Sequence, residues 1–387
     1  MTDALWIVHA YPWRDQPAGG VFFQTQAQAL ARRGLDLVVA IPTPWAPWPL
    51  ARLRKRWQRY ASAPATAKEN SVTAIRPRYA NLPGEPSWAA PDRRIASAIW
   101  RERRSWRTSR IIHAHSAVSG LAAWHLARRA ELPFVITFHG SDLNVWPDLH
   151  PERMADLRSA ARAARAIVTV SAQLATLAKS ITGVDAVLLP LGSDHRNLAA
   201  HAMPRLAARV ALDLTTERII VLFVGNLIRA KGVHELADAI LARGERYLGI
   251  FVGEGPEKGY GIGEHDTDSL QYRGARPHDE IARFMSAADV LVLPSHSEGL
   301  PTVLVEAGSL GLPVIASPVG GIPSLLEHGR GTLLRDISPV AIGEALDAFE
   351  RNRSSADAAA KRLRDFVLAE HDVDTNAGRL LDVYRLG

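Results

Sequence analysis

Strand-sized apolar runs alternate with helix-length segments along nearly the whole chain, and that alternation is the tightest constraint on its fold. Runs near residues 4–9, 35–41, 72–75, 111–114, 133–138, 166–170 and 185–189 have the length of strands, and helical segments, clearest at 21–33 and 117–130, fill the gaps. Parallel strands cannot be joined by tight turns, so this order calls for parallel sheets with crossover helices. The stretch from Pro190 to Pro204 has no clear period and carries Gly192, Asn197 and Pro204, so it reads as a connection between domains. The alternation then begins again, with strands expected near 219–224, 247–252, 289–293 and 313–316. The expectation is an α/β protein of two doubly wound Rossmann-like domains, 1–190 and 191–370, facing a central cleft. A length of 387 residues, more than one core usually supports, points the same way. Residues 42–70 interrupt the alternation and read as an insertion.

Ligands of open parallel sheets bind beyond the carboxyl ends of the strands, so polar and glycine residues at those points are the candidates. Gly19-Gly20, His139-Gly140-Ser141-Asp142, Lys231-Gly232, Glu254-Gly255-Pro256 and the stretch from Ser295 to Pro301 all follow expected strands. The most informative is SEGLPTVLVEAGSLGLPV. Pro301 suits the first position of a helix and Gly311 its carboxyl cap, which predicts a helix over about 301–310. The free first-turn amides of Thr302 and Val303 would favour an anion such as a diphosphate. Carboxylates would repel that anion, so Glu306 better suits ribose hydroxyls and Glu298 sugar hydroxyls. Arg229 and Lys231, in the loop GNLIRAKG, would neutralise the diphosphate.

These segments resemble the family 4 glycosyltransferases, with the two-domain GT-B fold, over nearly the whole chain. HAYPWRDQPAGGVFFQTQAQAL is similar to that family's first-strand glycine loop and helix, IIHAHS and ITFHGSD to its histidine-bearing strand ends, and LLPLGSD to its interdomain segment. LFVGNLIRAKGV, FVGEGP, YRGARPHDEIARFMSAADVLVLPS, EGLPTVLVE and GLPVIASPVGGIP follow in family order. GVFFQTQAQAL also resembles the teichuronic-acid-type members. The resemblance implies a retaining, metal-independent transfer from a nucleoside-diphosphate sugar, with the departing diphosphate helping to deprotonate the acceptor. His139 would lie beside the donor sugar and Glu298 would orient it. Gly20 would allow close backbone approach, and Asn226, Arg229, Lys231, Glu254, Gly299, Leu300, Pro301, Thr302, Val303 and Glu306 would hold the donor. Residues 371–387 would form a helix packing back on the N-terminal domain. Two departures stand out: Asn226 occupies a position where the family often has Arg, and Pro301 one where many members have Gly.

Other functional classes fare less well. A cysteine-free chain has no disulfide, thiolate metal site or cysteine nucleophile, which fits a reducing compartment, the cytoplasm by default. The first residues lack the pattern of a secretory signal, and no apolar run approaches the ~18 to 20 residues of a membrane span. Gly253, Gly255 and Gly259 have the wrong spacing for a dinucleotide fingerprint, so no NAD is expected. Asp266-Thr267-Asp268 reads as a surface turn, and no metal is expected. Taken alone, a glutamate at a helix start more often offsets the helix dipole, and His113 reads as a packing or hydrogen-bonding residue.

The charge is lopsided. Residues 1–190 hold 25 Lys and Arg against 13 Asp and Glu, a formal +12, whereas the remainder holds 21 against 27, or −6. All ten tryptophans lie within the first 146 residues. Biased basic stretches occur at 51–59 and 93–110. Trp45, Trp48 and Trp57 among Arg52, Arg54, Lys55, Arg56 and Arg59 form the pattern of an interfacial amphipathic segment on anionic lipid; a solvated helix face is the plainer reading, and nucleic acid the least favoured. The expected partners are a nucleotide-sugar donor and an anionic or lipid-linked glycan acceptor, at the inner face of the cell membrane. A nucleotide-sugar epimerase and a catalytically silent nucleotide-sugar-binding subunit are the alternatives.

Overall fold

The computed structural model describes residues 3–13, 19–45, 55–69, 71–81, 91–214, 217–261 and 268–385. The chain divides into two compact units, residues 1–190 with 373–387, and residues 191–372.

The first unit is built on ten strands: β1 (Ala4–Ile7), β2 (Leu37–Ala40), β3 (Thr43–Trp45), β4 (Thr66–Glu69), β5 (Val72–Ile75), β6 (Arg78–Ala80), β7 (Ile111–His115), β8 (Phe134–Phe138), β9 (Ala166–Thr169) and β10 (Ala186–Leu188). Eight of them form one sheet in the order β10-β9-β8-β7-β1-β2-β5-β4, parallel except for the β4–β5 pair. β1, β2, β7 and β8 are buried along their whole length, the mark of strands covered on both faces. Helix Val21–Arg32 and the C-terminal helix Val373–Arg385 share one core with the sheet through Phe23, Leu30, Val373, Leu380 and Val383. Helices Asp92–Arg101 and Ala117–Ala130 pack on each other, and the latter lies along β7 and β8.

Among its described residues the second unit has six parallel strands: β11 (Ile219–Val224), β12 (Tyr247–Val252), β13 (Leu270–Gly274), β14 (Val290–Leu293), β15 (Val314–Ala316) and β16 (Thr332–Leu333), ordered β13-β12-β11-β14-β15-β16. Strand order reverses between β11 and β14, so the loops leaving these two strands diverge and open a crevice at their carboxyl ends.

Every strand expected from periodicity is present, and those missed share one physical cause. β13 (LQYRG) buries only its leucine and β16 is two exposed residues, so neither writes an apolar run. Residues 42–70, read as an insertion, carry β3, a helix over Lys55–Ser62, and β4. Residues 46–54, including Trp48, Arg52 and Arg54, lie outside the described residues, as do Asp266 and Thr267. The aperiodic stretch 190–204 contains a short helix, His195–His201, started by the Asp194 side chain accepting from the Asn197 amide at 3.0 Å.

Candidate active site

In the second unit, β11 runs into Gly225 and Asn226 and then a tight turn over Arg229–Lys231. Gly232 closes that turn with φ +68°, and a Cβ there would collide with the Pro294 carbonyl just beyond β14. Only glycine lets the two strand exits approach so closely. The approach delivers Lys231 Nζ to Glu298 Oε1 at 2.6 Å, with the carboxylate 9% exposed and the lysine 23%. The loop behind Glu298 is clamped as well. Gly320 (φ +59°) has room for no Cβ against the Glu298 carbonyl, and the Gly321 amide donates to the Gly299 carbonyl at 2.6 Å.

The helix after this loop spans Thr302–Ser309, so Pro301 is not its first residue, as its ring would suit, but its extended cap (φ −73°, ψ 115°). Leu300 is buried beneath it. Leu304 makes the first amide bond back, to the Pro301 carbonyl at 3.2 Å, and the amides of Thr302 and Val303 precede it. One turn on, Glu306 Oε1 meets His278 Nε2 at 3.1 Å. Burial opposes charge on His278, but the hydrogen bond and attraction of Glu306, helped by Asp194 and Asp279, outweigh it and raise its pKa. Asn226 and Arg229 are exposed beside the lysine turn. Glu254 is engaged elsewhere, with Lys258 at 3.3 Å and the Ala275 amide at 3.4 Å. Gly253 and Gly255 serve backbone packing: a Cβ on either would strike the Gly225 or Leu227 carbonyl.

In the first unit, a cluster of histidines gathers at the carboxyl ends of β7 and β8. His115 Nδ1 lies 3.2 Å from His139 Nε2, with the rings stacked. Phe22 and Phe23, at the start of helix Val21–Arg32, wall His139 at 5.3 and 5.5 Å between ring centres. That helix starts at Gly20, whose φ of +76° and ideal Cβ, 2.5 Å from the Ala10 carbonyl oxygen, admit no side chain. Burial pushes His139 down to about 3 and His115 well below its ordinary range, so both rings are neutral near pH 7. Either tautomer of the pair leaves one buried donor and one buried acceptor, His115 Nε2 and His139 Nδ1, without a partner among the described residues.

Further residues support these clusters, and of them Tyr384 and His278 escaped the sequence reading. Asp142 fixes the His139 loop by accepting from the His139 amide at 2.6 Å and the Ala117 amide at 3.3 Å; burial raises its pKa. Its signal was the His-Gly-Ser-Asp spacing itself, with Gly140 at φ +138° turning the chain. His113 is held by a chain of hydrogen bonds. The donor-only Trp6 indole gives to Tyr384 Oη at 2.8 Å, Tyr384 Oη is hydrogen-bonded to His113 Nδ1 at 2.7 Å, and His113 Nε2 to Thr137 Oγ1 at 2.7 Å. Nothing local in the sequence marks Tyr384 or His278 for these contacts. Among the described residues no group of three or more His, Asp or Glu is placed to hold a metal ion.

Residues 19–196 match the model of Glycosyltransferase Family 4 and residues 205–366 that of Glycosyl transferases group 1. TuaC of Bacillus subtilis (strain 168), a glycosyltransferase assigned to teichuronic acid biosynthesis, is 34% identical over 98% of this chain and 97% of its own. The 2-deoxystreptamine N-acetyl-D-glucosaminyltransferase of Streptomyces fradiae is 27% identical over 98% and 93%. Among solved structures, sucrose-phosphate synthase from Thermosynechococcus elongatus superposes with a TM-score of 0.80 at 21% identity, covering 100% of this chain and 98% of that one. Anabaena HepE in complex with UDP and glucose gives 0.76 at 17%, each chain fully covered. The chain therefore belongs to the family 4 glycosyltransferases, an enzyme of the hexosyltransferase type with the GT-B fold.

Proposed function

We propose that the protein transfers a sugar, with retention of anomeric configuration and without a metal, from a nucleoside-diphosphate sugar to a lipid-linked or polysaccharide acceptor in cell-surface polysaccharide assembly. The observation that carries the donor half of this reading is the convergence of Lys231, Glu298 and the first-turn amides of Thr302 and Val303 at the point where strand order reverses. Amides and a lysine at such a place suit a diphosphate. Lys231 exchanges the Glu298 carboxylate for the diphosphate, assisted by Arg229, and Glu298 turns to the sugar hydroxyls. Glu306, held by His278, accepts from the ribose. HepE, which shares this fold, has been crystallised with UDP and with UDP-glucose, which favours a donor of that class.

His139 serves the sugar. Its unpaired Nδ1, and the neutral state enforced by burial, let it hydrogen-bond a hydroxyl or face developing positive charge without repelling it. The acceptor reading draws on the full-length similarity to TuaC and on the basic, tryptophan-rich first half.

Purified protein incubated with UDP-, GDP-, ADP- and dTDP-sugars identifies the donor by release of diphosphate, and NMR of the new linkage reads its stereochemistry. Turnover that yields a free altered sugar with no acceptor would make the protein an epimerase. Neither turnover nor binding with any donor would remove the reading altogether.

A further inference from the structure

We propose that the surface formed by helices Asp92–Arg101 and Ala117–Ala130, with the turn over 102–110, docks the protein on an anionic phospholipid membrane. The segment 92–110 carries seven arginines against Asp92 and Glu102. Asp92 contributes no free negative charge: it is 1% exposed, and its carboxylate is taken by Arg153 at 3.0 Å and His125 at 3.0 Å. Arg93, Arg103, Arg104, Arg107, Arg128 and Arg129 are exposed and meet no carboxylate among the described residues. Uncompensated cations crowded on one face repel one another, an arrangement that an anionic surface relieves.

The turn that carries them is rigid. Trp106 is buried and its indole donates to the Ile99 carbonyl at 3.1 Å. Between the two helices lies an open concavity lined by Arg93, Ser97, His125, Arg128 and Arg129, which gathers three of these arginines around one hollow. The tryptophans decide between lipid and nucleic acid. The Arg129 guanidinium sits 4.2 Å from the centre of the half-buried Trp100 ring and that of Arg128 lies 5.8 Å from Trp124, so these rings are not open platforms for bases. A cation laid over an aromatic ring at the rim of a basic face suits the headgroup layer.

Arg128 and Arg129 end the 14-residue helix that starts beside His115, and 103–110 lead into the amino end of β7.

Flotation of the full-length protein with vesicles of phosphatidylcholine alone, or with phosphatidylglycerol added, tests the docking. Binding is expected only to the anionic vesicles and is lost at high salt. At about fivefold per cation near the surface, the triple variant Arg103→Gln/Arg104→Gln/Arg107→Gln should partition on the order of a hundredfold less. A control, Arg351→Gln/Lys361→Gln/Arg364→Gln at exposed positions of the second unit, should float like the parent. Unchanged flotation of the first variant, equal binding to neutral vesicles, or retention on a single-stranded oligonucleotide without vesicle binding would each overturn the proposal. Titration of both variants with nucleoside diphosphates keeps the two readings apart. Failure of nucleotide binding alongside normal flotation removes the donor assignment and leaves the docking surface standing.

Discussion

The Lys231–Glu298 pair makes the sharpest claim on experiment, because two residues in contact are assigned different tasks. At 2.6 Å, with the carboxylate 9% exposed and the lysine 23%, removing either partner strands a largely buried charge. Breaking a fully buried pair costs about 3–5 kcal/mol, and the partial exposure of the lysine reduces this to about 2 kcal/mol for Lys231→Met. Glu298→Gln keeps an acceptor for the lysine and should cost less. Combining the two should cost less than their sum by about 1–2 kcal/mol, since the double variant has no stranded charge. Ligand binding separates them further. A charge-assisted bond from lysine to phosphate is worth about 1.5–3 kcal/mol, so Lys231→Met should weaken a nucleoside diphosphate by about ten- to a hundredfold. Glu298→Gln frees the lysine from its internal anion, so the same diphosphate should bind as well as before or better, while sugar transfer collapses. Calorimetric titration with UDP, GDP and ADP, alongside turnover and thermal melts, reads all three quantities. If Glu298→Gln weakened the diphosphate as much as Lys231→Met does, the pair would be a brace for the loop and the division of labour would be wrong.

Three further outcomes are expected. Tyr384→Phe unpairs the Trp6 indole and His113 Nδ1 in a dry core, so it should lower stability by about 1–3 kcal/mol in denaturant titrations; an unchanged midpoint would contradict the hydrogen-bond chain. His278 has a raised pKa, so the stabilisation from its pairing with Glu306 is complete below the ordinary histidine value of about 6.5 and fades as pH rises through the raised one. The melting difference between parent and His278→Gln should therefore shrink from pH 6 to pH 9, and a gap that widened with pH would refute the pairing. Gly320→Ala, at φ +59° against the Glu298 carbonyl, should displace the clamped loop and reduce transfer at least tenfold, and parent-like turnover would show the clamp to be dispensable.

How much of this was legible in the sequence depended on whether the physics was local. Strands buried on both faces, such as IIVLFV, write themselves as apolar runs, whereas β13 at the sheet edge buries one residue and left no trace. Candidate site residues were legible where glycine marked the turn that positions them. Gly20, Gly140 and Gly232 all adopt positive φ beside the residues singled out. Partners were not legible. Glu306 is met by His278 from a helix 28 residues away, because such a contact is made by packing and not by spacing.

The partners also resolve an electrostatic difficulty. Two glutamates beside a diphosphate would ordinarily repel it, yet each has a basic partner of its own, Lys231 for Glu298 and His278 for Glu306. Each pair carries little net charge when His278 is protonated, so neither glutamate opposes the partial positive charge of the helix-start amides of Thr302 and Val303 at full strength. On the function proposed above, bound diphosphate would draw Lys231 away from Glu298 and leave a carboxylate acceptor facing the sugar at the moment the phosphate is neutralised. Donor binding itself would thereby arm the residue that orients the sugar, whereas Glu306, whose partner stays with it, would keep one oxygen engaged and offer the other to a ribose hydroxyl.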